Sequence, residues 1–256
     1  MYMMPSDDGG DSELQPWFLQ LRLIIARATY IKQEEALARE PDSRILNLCD
    51  ECTTQQELVL SHSELGLEAA VCLGSILPFS TGLTRIEVTE ASVDDLQLTQ
   101  LVRPLSKGFP SLKGLSFGGN VLTADGAKTL VSALAARDVP LTLALNDNNI
   151  GDDGCAELAK LVASTVLLEL DLSGNSVGEA GSGVLCAALA SNTSLTKVSL
   201  SNNPLRGAGC DHVADMLRKN TSLETLGMSS CGLTDKCTQS LSDALCSNQH
   251  LTELDV

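Results

Sequence analysis

A repeat of about 28 residues constrains this chain more than any other feature of its sequence. Counted from the first leucine-like position, the repeats begin at Gln55, Leu83, Leu112, Pro140, Leu167, Leu195, Leu223 and Leu251. Successive starts are 27 to 29 residues apart. This period predicts a solenoid of stacked units, because one unit of this size cannot bury its own apolar face.

Each repeat combines a strand pattern with a helix pattern. Residues 167–177 read L-x-x-L-x-L-x-x-N-x-V, so alternating leucines predict a strand that ends in a bend. We expect Asn175 to be buried at this bend, bonded to the backbone. Small residues such as Gly181 and Gly209 lie near the start of the predicted helices, and they predict close packing between neighbouring helices. Ser63 and Ala91 replace the asparagine, so the first two repeats are expected to be less regular.

The period and the motifs L-x-x-L-x-L-x-x-N-x-L and G-x-x-G-A resemble the ribonuclease-inhibitor-like class of leucine-rich repeats. The resemblance covers residues 55–256, as seven full repeats and the start of an eighth. It implies an α/β fold: a curved horseshoe segment with a parallel sheet on its concave face and helices on its convex face. The class includes enzyme inhibitors, GTPase activators, receptor sensor domains and axonemal subunits, so it implies little about function.

Residues 1–54 precede the repeats. The first 13 are rich in Gly, Asp and Ser and are expected to be disordered. Residues 14–54 are interpreted as a capping segment, in which 14–40 form a helix that covers the first repeat and 44–48 form a short strand. The alternative is that the helix docks a partner through Trp17, Phe18 and Leu21.

The net charge limits the classes of partner that the chain can bind, and the cysteines indicate its cellular compartment. The net charge of −16 disfavours nucleic acid and anionic membranes and permits a basic protein partner. Nine cysteines are scattered along the chain, and we expect free, buried thiols in the reducing cytoplasm, Cys246 included. The pair at 49–52 lacks the further ligands of a zinc site, so no metal or cofactor is expected. No signal peptide or membrane-spanning run is predicted.

The concave face is expected to present the residues that alternate with the core leucines. They are small and polar, with acidic pairs at Glu169/Asp171 and Glu253/Asp255, and they lack the aromatic anchors typical of tight inhibitors. The three histidines occupy different repeat phases, and no catalytic or nucleotide-binding motif surrounds them. The sequence therefore predicts a binding protein and not an enzyme.

We expect a non-enzymatic protein-interaction scaffold within a larger intracellular assembly. The resemblance to the family implies that this assembly belongs to the cilium, the axoneme or the cytoskeleton. The alternative is a regulator of enzyme activity, either a Ran-type GTPase activator or a ribonuclease-inhibitor-like inhibitor. For the activator, the candidate residues are the loop residues Asp147, Asn149 and Asn202. Residues 251–256 stop within a strand pattern, so we expect further repeats or a neighbouring subunit of a hetero-complex to cover a solenoid end.

Overall fold

The protein is described by a computed structural model that covers residues 16–36, 41, 43, 45–47, 56–62, 64–80, 82–107, 109–135, 137, 139–164 and 166–256. The disordered tail predicted for 1–13, the end of the predicted helix at 37–40 and the cysteine pair at 49–52 lie outside these residues. None of the described helices combines the length and the apolar character needed to cross a bilayer.

Eight parallel strands form one sheet in which sequence order and spatial order are the same. They are β1 (Glu57–Ser61), β2 (Arg85–Thr89), β3 (Gly114–Ser116), β4 (Leu141–Ala144), β5 (Leu167–Asp171), β6 (Lys197–Ser199), β7 (Thr225–Gly227) and β8 (Glu253–Asp255). Equivalent repeat positions are direct neighbours, as where Leu170 on β5 pairs with Val198 on β6. The predicted α/β solenoid is therefore confirmed.

Eight α-helices have defined bounds, in addition to the helical residues at 43 and 45–47. They are α1 (Pro16–Ala36), α2 (Leu67–Ile76), α3 (Asp95–Val102), α4 (Ala124–Leu134), α5 (Gly151–Ser164), α6 (Glu179–Leu189), α7 (Arg206–Leu217) and α8 (Asp235–Ser247). Short 3-10 turns follow α2 and α3, each with a proline, Pro78 or Pro104, at its second position. Proline has no backbone N–H to continue the α-helical ladder, which accounts for the less regular first two repeats.

The core lies between the sheet and the helices. Strand leucines such as Leu170 and Leu172 are buried, and so are Leu158 and Leu185 on the facing helices. A glycine near the start of a helix allows the close approach that the sequence predicts: a Cβ added to Gly181 would lie 2.8 Å from the Cα of the preceding repeat's Asp152. Stacking in this way buries one continuous apolar layer along the solenoid.

The N-terminal helix packs on the first repeat. Tyr30 is buried in the common core, Leu23 and Ala26 pack partly against it, and the Cys72 thiol lies 3.7 Å from the Ala26 carbonyl oxygen. This packing is what a cap requires. Two other apolar residues of this helix, Ile24 and Ile25, face solvent.

The short strand predicted at 44–48 is wrong, because residues 45–47 are helical. Ile45 is buried and the adjacent Leu46 packs partly against the same core. Successive residues of a strand point to opposite faces, whereas neighbouring residues of a helix can share one. Two consecutive core contacts therefore suit a helical turn.

Candidate partner-binding surface

The side chains that alternate with the buried strand leucines line the concave face in columns that run across the sheet. The first column contains Glu57, Arg85, Gly114, Thr142, Glu169, Lys197, Thr225 and Glu253. The second contains Val59, Glu87, Ser116, Ala144, Asp171, Ser199, Gly227 and Asp255. The register thus places Glu169, Asp171, Glu253 and Asp255 on the concave face.

A groove of about 570 Å³ crosses the middle of this face. Its floor on β3 and β4 is made of small side chains, those of Gly114, Ser116, Thr142 and Ala144. Longer charged residues line its two sides, with Arg85 and Lys113 towards β2 and with Glu169, Asp171 and Lys197 on β5 and β6. We call this feature the concave groove. Its depth follows from the contrast between the small floor residues and the long residues beside them.

The charges along the concave groove are partly fixed by local contacts. On the β2 side, Arg85 Nη2 lies 2.6 Å from Glu87 Oε2 in an exposed ion pair. On the β5 side, Asp171 Oδ1 accepts hydrogen bonds from the backbone N–H of Ser173 at 2.9 Å and from its hydroxyl at 2.6 Å. The Ser173 hydroxyl also lies 2.6 Å from that of Ser199 on the next strand. Both walls of the groove therefore carry carboxylates and cations, and local contacts hold Arg85 and Asp171 in position.

The second acidic pair lies away from the groove. Ser229 donates a hydrogen bond from its hydroxyl to Asp255 Oδ1 at 2.6 Å, and Thr225 donates to Glu253 Oε2 at 3.4 Å. At about 4.8 Å per strand, β8 is about 14 Å from β5. The two acidic pairs that the sequence singles out therefore form two separate surfaces.

Asp147 and Asn202 share one position of the loops that follow the strands. Both are exposed, and both have a positive φ, 54° and 57°. Every equivalent residue has a positive φ too: His62, Glu90, Gly119, Gly174 and Ser230. Asp, Asn and Gly adopt this left-handed conformation at the lowest cost, so the backbone alone gives a reason for the identities at 147 and 202. Asn149 is exposed on the same loop edge.

The two asparagines in Asn-x-Ser sequences, Asn192 and Asn220, have structural roles. Their amide groups donate hydrogen bonds to the Val162 carbonyl at 2.9 Å and the Leu189 carbonyl at 2.7 Å, respectively, each on the preceding repeat. The Asn220 side-chain oxygen also accepts the backbone N–H of Leu223 at 2.8 Å. These contacts tie the helix-to-strand turns of neighbouring repeats together.

The histidines lie in separate surroundings. His62 Nδ1 is 2.6 Å from Glu90 Oε2, His212 lies against the backbone at Gly183, and His250 is exposed beyond α8. Within the described ranges, no group of three or more His, Cys, Asp or Glu residues is arranged to hold a metal ion.

All seven cysteines in the described part of the chain are free, and six of them are buried. Burial raises the pKa of the thiols of Cys155, Cys186 and Cys210 to about 12. The exception is Cys246, which is exposed although its sequence phase predicts burial. It follows the buried Ala244 by two residues, or about 200° around a helix, and this rotation takes it to the solvent face.

The structure brings some of the predicted site residues together and leaves others apart. Glu169 and Asp171 share the concave groove, the three loop residues follow β4 and β6, and the pair on β8 stands alone. The side chains of Trp17, Phe18 and Leu21 lie outside the described part of the chain. Of the basic residues that line the groove, Arg85 and Lys197 follow from the alternation of the strands. Sequence reasoning missed Lys113, because it precedes its strand.

These features define a class of protein: a leucine-rich-repeat solenoid with one strand and one helix in each repeat and a row of buried asparagines between them. A leucine-rich-repeat family model matches residues 141–159, 163–186, 191–214 and 219–237. The chain is similar to the ribonuclease-inhibitor-like class of leucine-rich repeats.

Two curated relatives support this similarity. The chain is 42% identical over 82 residues to human NACHT, LRR and PYD domains-containing protein 5, covering 31% of the chain and 7% of that protein. It is 33% identical over 151 residues to mouse ribonuclease inhibitor, covering 56% of the chain and 33% of the inhibitor. The matched segments thus span a third or less of either relative's length.

Solved structures with a partly similar backbone path include actin-binding site 2 of leiomodin-1. Its TM-score is 0.45 and its sequence identity 16%, over 71% of this chain and 86% of the leiomodin chain. The C-terminal domain of tropomodulin from Caenorhabditis elegans has a TM-score of 0.32 and 13% identity, over 80% of this chain and 90% of that one.

Proposed function

We propose that this chain is a non-enzymatic protein-interaction scaffold that contacts a protein partner through the concave groove. The observation that carries the proposal is the groove itself: a floor of small residues between walls that bear both signs of charge. Such a surface admits a protruding partner segment and favours one orientation of it by charge, since like charges in contact are costly. The groove has no aromatic residue among those that line it, which favours a moderate and exchangeable contact.

The test fills the groove without disturbing the core. Ala144 and Ser116 are half-buried floor residues, so Ala144→Arg with Ser116→Arg places two long cations where a partner would lie. We expect quantitative affinity purification from native cells to recover a protein with the wild type that the double variant loses. The matched control is Val184→Arg on the exposed side of α6, which should retain that protein. Recovery of the same proteins by the groove variant would contradict the proposal.

A second candidate is the regulation of an enzyme, and the similarity to mouse ribonuclease inhibitor favours it. In this case the loop residues Asp147, Asn149 and Asn202 join the groove in contacting the enzyme. The test titrates the purified chain against a pancreatic-type ribonuclease and, separately, against Ran loaded with GTP. A change in either rate at stoichiometric chain supports this candidate, and unchanged rates exclude these two enzymes as targets.

We also propose an intracellular, reducing location, within a larger assembly of ciliary or cytoskeletal type. The location is supported by free thiols at all seven described cysteines, because such thiols persist where glutathione keeps them reduced. The type of assembly rests on the resemblance of the repeats alone. Immunofluorescence with markers for cytosol and axoneme tests both parts, and a signal confined to the secretory pathway would contradict the location.

A further inference from the structure

Two buried cysteines on neighbouring helices have their thiols in contact. Cys210 lies in the second turn of α7, Cys237 lies in the first turn of α8, and both are buried. The Cys210 thiol donates a hydrogen bond to the Cys237 sulfur. This sulfur also lies 4.0 Å from the Arg206 carbonyl oxygen and 3.9 Å from that of Gly207. It is therefore seated against the start of α7, about one helical turn from Cys210.

The repeat explains why these two side chains meet. One repeat earlier, Gly209 holds the position of Cys237. Ser182 likewise holds the position of Cys210. A Cβ added to Gly209 would lie 2.9 Å from the Ser182 hydroxyl oxygen, so the stacking of helices brings these two positions together. In α7 and α8 both positions carry a thiol, and contact between two thiols is the arrangement from which a disulfide bond forms.

The two thiols differ in acidity. Burial acts to raise the pKa of Cys237, but hydrogen bonds from Thr234 and Cys210 outweigh it, so this pKa lies below the ordinary value of a thiol. The Thr234 hydroxyl is 3.1 Å from the Cys237 sulfur, and the same residue caps the start of α8. Burial and the hydrogen bond to Cys237 raise the pKa of Cys210 to about 12. Cys237 is therefore the member of the pair that ionises first, and the thiolate is the reactive form of a cysteine.

We propose that Cys210 and Cys237 form a redox-sensitive pair, reduced in the resting protein and joined by a disulfide bond when hydrogen peroxide oxidises it. The Cys237 thiolate attacks one peroxide oxygen, the O–O bond breaks and hydroxide leaves, which gives a sulfenic acid. The Cys210 sulfur then attacks the sulfur of Cys237, and the S–O bond breaks as the S–S bond forms. The hydroxyl group leaves with the Cys210 proton as water. The two thiols lose two electrons in total, and the peroxide is reduced to two molecules of water.

Access of peroxide to this buried pair depends on the first turn of α8. Asp235, Lys236 and Thr238, which flank Cys237 there, are exposed. Since the ends of a helix open more readily than its middle, a local opening of this one turn brings the thiolate to solvent while the other repeats stay folded. The bridge then fixes α8 to α7 and closes residues 211–236 into a loop. This loop restricts the unfolded chain, so the oxidised protein is the more stable one.

The test treats the chain with hydrogen peroxide in a Cys246→Ser background, which removes the exposed thiol. Trypsin then places Cys210 in the peptide 207–218 and Cys237 in the peptide 237–256, each without a second cysteine. We expect mass spectrometry to find these two peptides linked after peroxide, with the loss of two hydrogens, and separate again after dithiothreitol. The melting temperature of the oxidised chain should rise by roughly 5–10 °C.

The repeat itself supplies the matched variants. Cys210→Ser and Cys237→Gly restore the residues that hold these positions one repeat earlier, so each should fold and each should lose both the bridge and the rise in melting temperature. Cys155→Ala, which removes a buried thiol outside the pair, should keep both. The proposal is overturned if peroxide leaves the two peptides unlinked, or if Cys210 is linked to Cys231 instead. An equal rise in melting temperature in the Cys210→Ser variant would also overturn it.

Discussion

The backbone N–H of Asn175 donates a hydrogen bond to the side-chain oxygen of Asn203, one repeat further on, at 2.9 Å. The same oxygen accepts the N–H of Val177 at 2.9 Å, and the Asn203 amide donates to the carbonyls of Leu172 at 2.8 Å and Leu200 at 2.9 Å. One buried side chain thus satisfies backbone groups of two repeats at the point where the strands end. Asn120, Asn148 and Asn175 hold the equivalent positions in the preceding repeats.

Replacing Asn203 by alanine should lower the free energy of unfolding by about 2–4 kcal/mol, because it leaves several buried backbone groups without partners. At about 2–4 °C per kcal/mol, thermal denaturation followed by circular dichroism resolves this change easily. Asn203→Cys should cost less, since Cys231 occupies the equivalent position and its thiol lies 3.1 Å from the Leu200 carbonyl. Equal melting temperatures for the alanine variant and the wild type would refute the structural role of this row.

Two helix glycines should respond to alanine in opposite directions. An added Cβ at Gly181 meets the backbone of Asp152 at 2.8 Å, so Gly181→Ala should destabilise the protein by about 1–3 kcal/mol. Gly207, inside α7, has nothing within 4 Å of an added Cβ. There alanine should stabilise by about 0.5–1 kcal/mol, because glycine is the poorer helix former. Chemical denaturation measures the free energy of unfolding of both variants. If both substitutions change it in the same direction, the close packing of α5 and α6 is contradicted.

The native protein should contain no disulfide bond. Alkylation without reductant at pH 8, followed by mass spectrometry, should modify Cys246 quickly and the six buried described cysteines slowly, because only Cys246 is exposed. A defined internal bridge in the native protein would overturn the reducing location.

Stability should fall in alkaline solution. The pKa of Cys155, Cys186 and Cys210 is raised from 9.0 to about 12 by burial. Between these values the unfolded chain releases protons that the native state retains, so unfolding becomes more favourable as the pH rises above 9. Melting temperatures measured from pH 7 to pH 10.5 should therefore decline, and less steeply in a Cys155→Ala variant. An identical slope for the two proteins would show that this thiol does not contribute.

Deleting residues 14–40 should cost several kcal/mol, because Tyr30 and the residues beside it leave the core and each large apolar side chain contributes about 1.5–3 kcal/mol on burial. The melting temperature of the deletion variant measures this loss. An unchanged value would show that α1 docks a partner and does not serve as a cap.

Much of the fold follows from periodicity in the sequence, and the departures have physical causes. The leucines of 167–172 and Asn175 are fixed by the repeat, since a shift of one residue would move every strand side chain to the other face. The strand predicted at 44–48 failed because a short apolar run does not distinguish a strand from a helix. Cys246 was misplaced because the phase of a helix changes by 100° with each residue.

The candidate surface was predicted in part for a related reason. Strand alternation places Glu169 and Asp171 on the concave face, but the depth of the groove depends on which small and long residues meet across five strands. Arg85 forms its ion pair with Glu87 on the same strand and not with Glu57, its neighbour on β1. This choice depends on side-chain conformation, which the repeat pattern does not encode.

Hydrogen–deuterium exchange of the chain with and without its purified partner tests recognition through the concave groove most directly. The account predicts slower exchange on binding in the strands that form the groove, β2 to β6, and in the loops that follow them, with the convex helices α4 to α6 unchanged. Protection confined to those helices, with unchanged exchange across the strands, would contradict it.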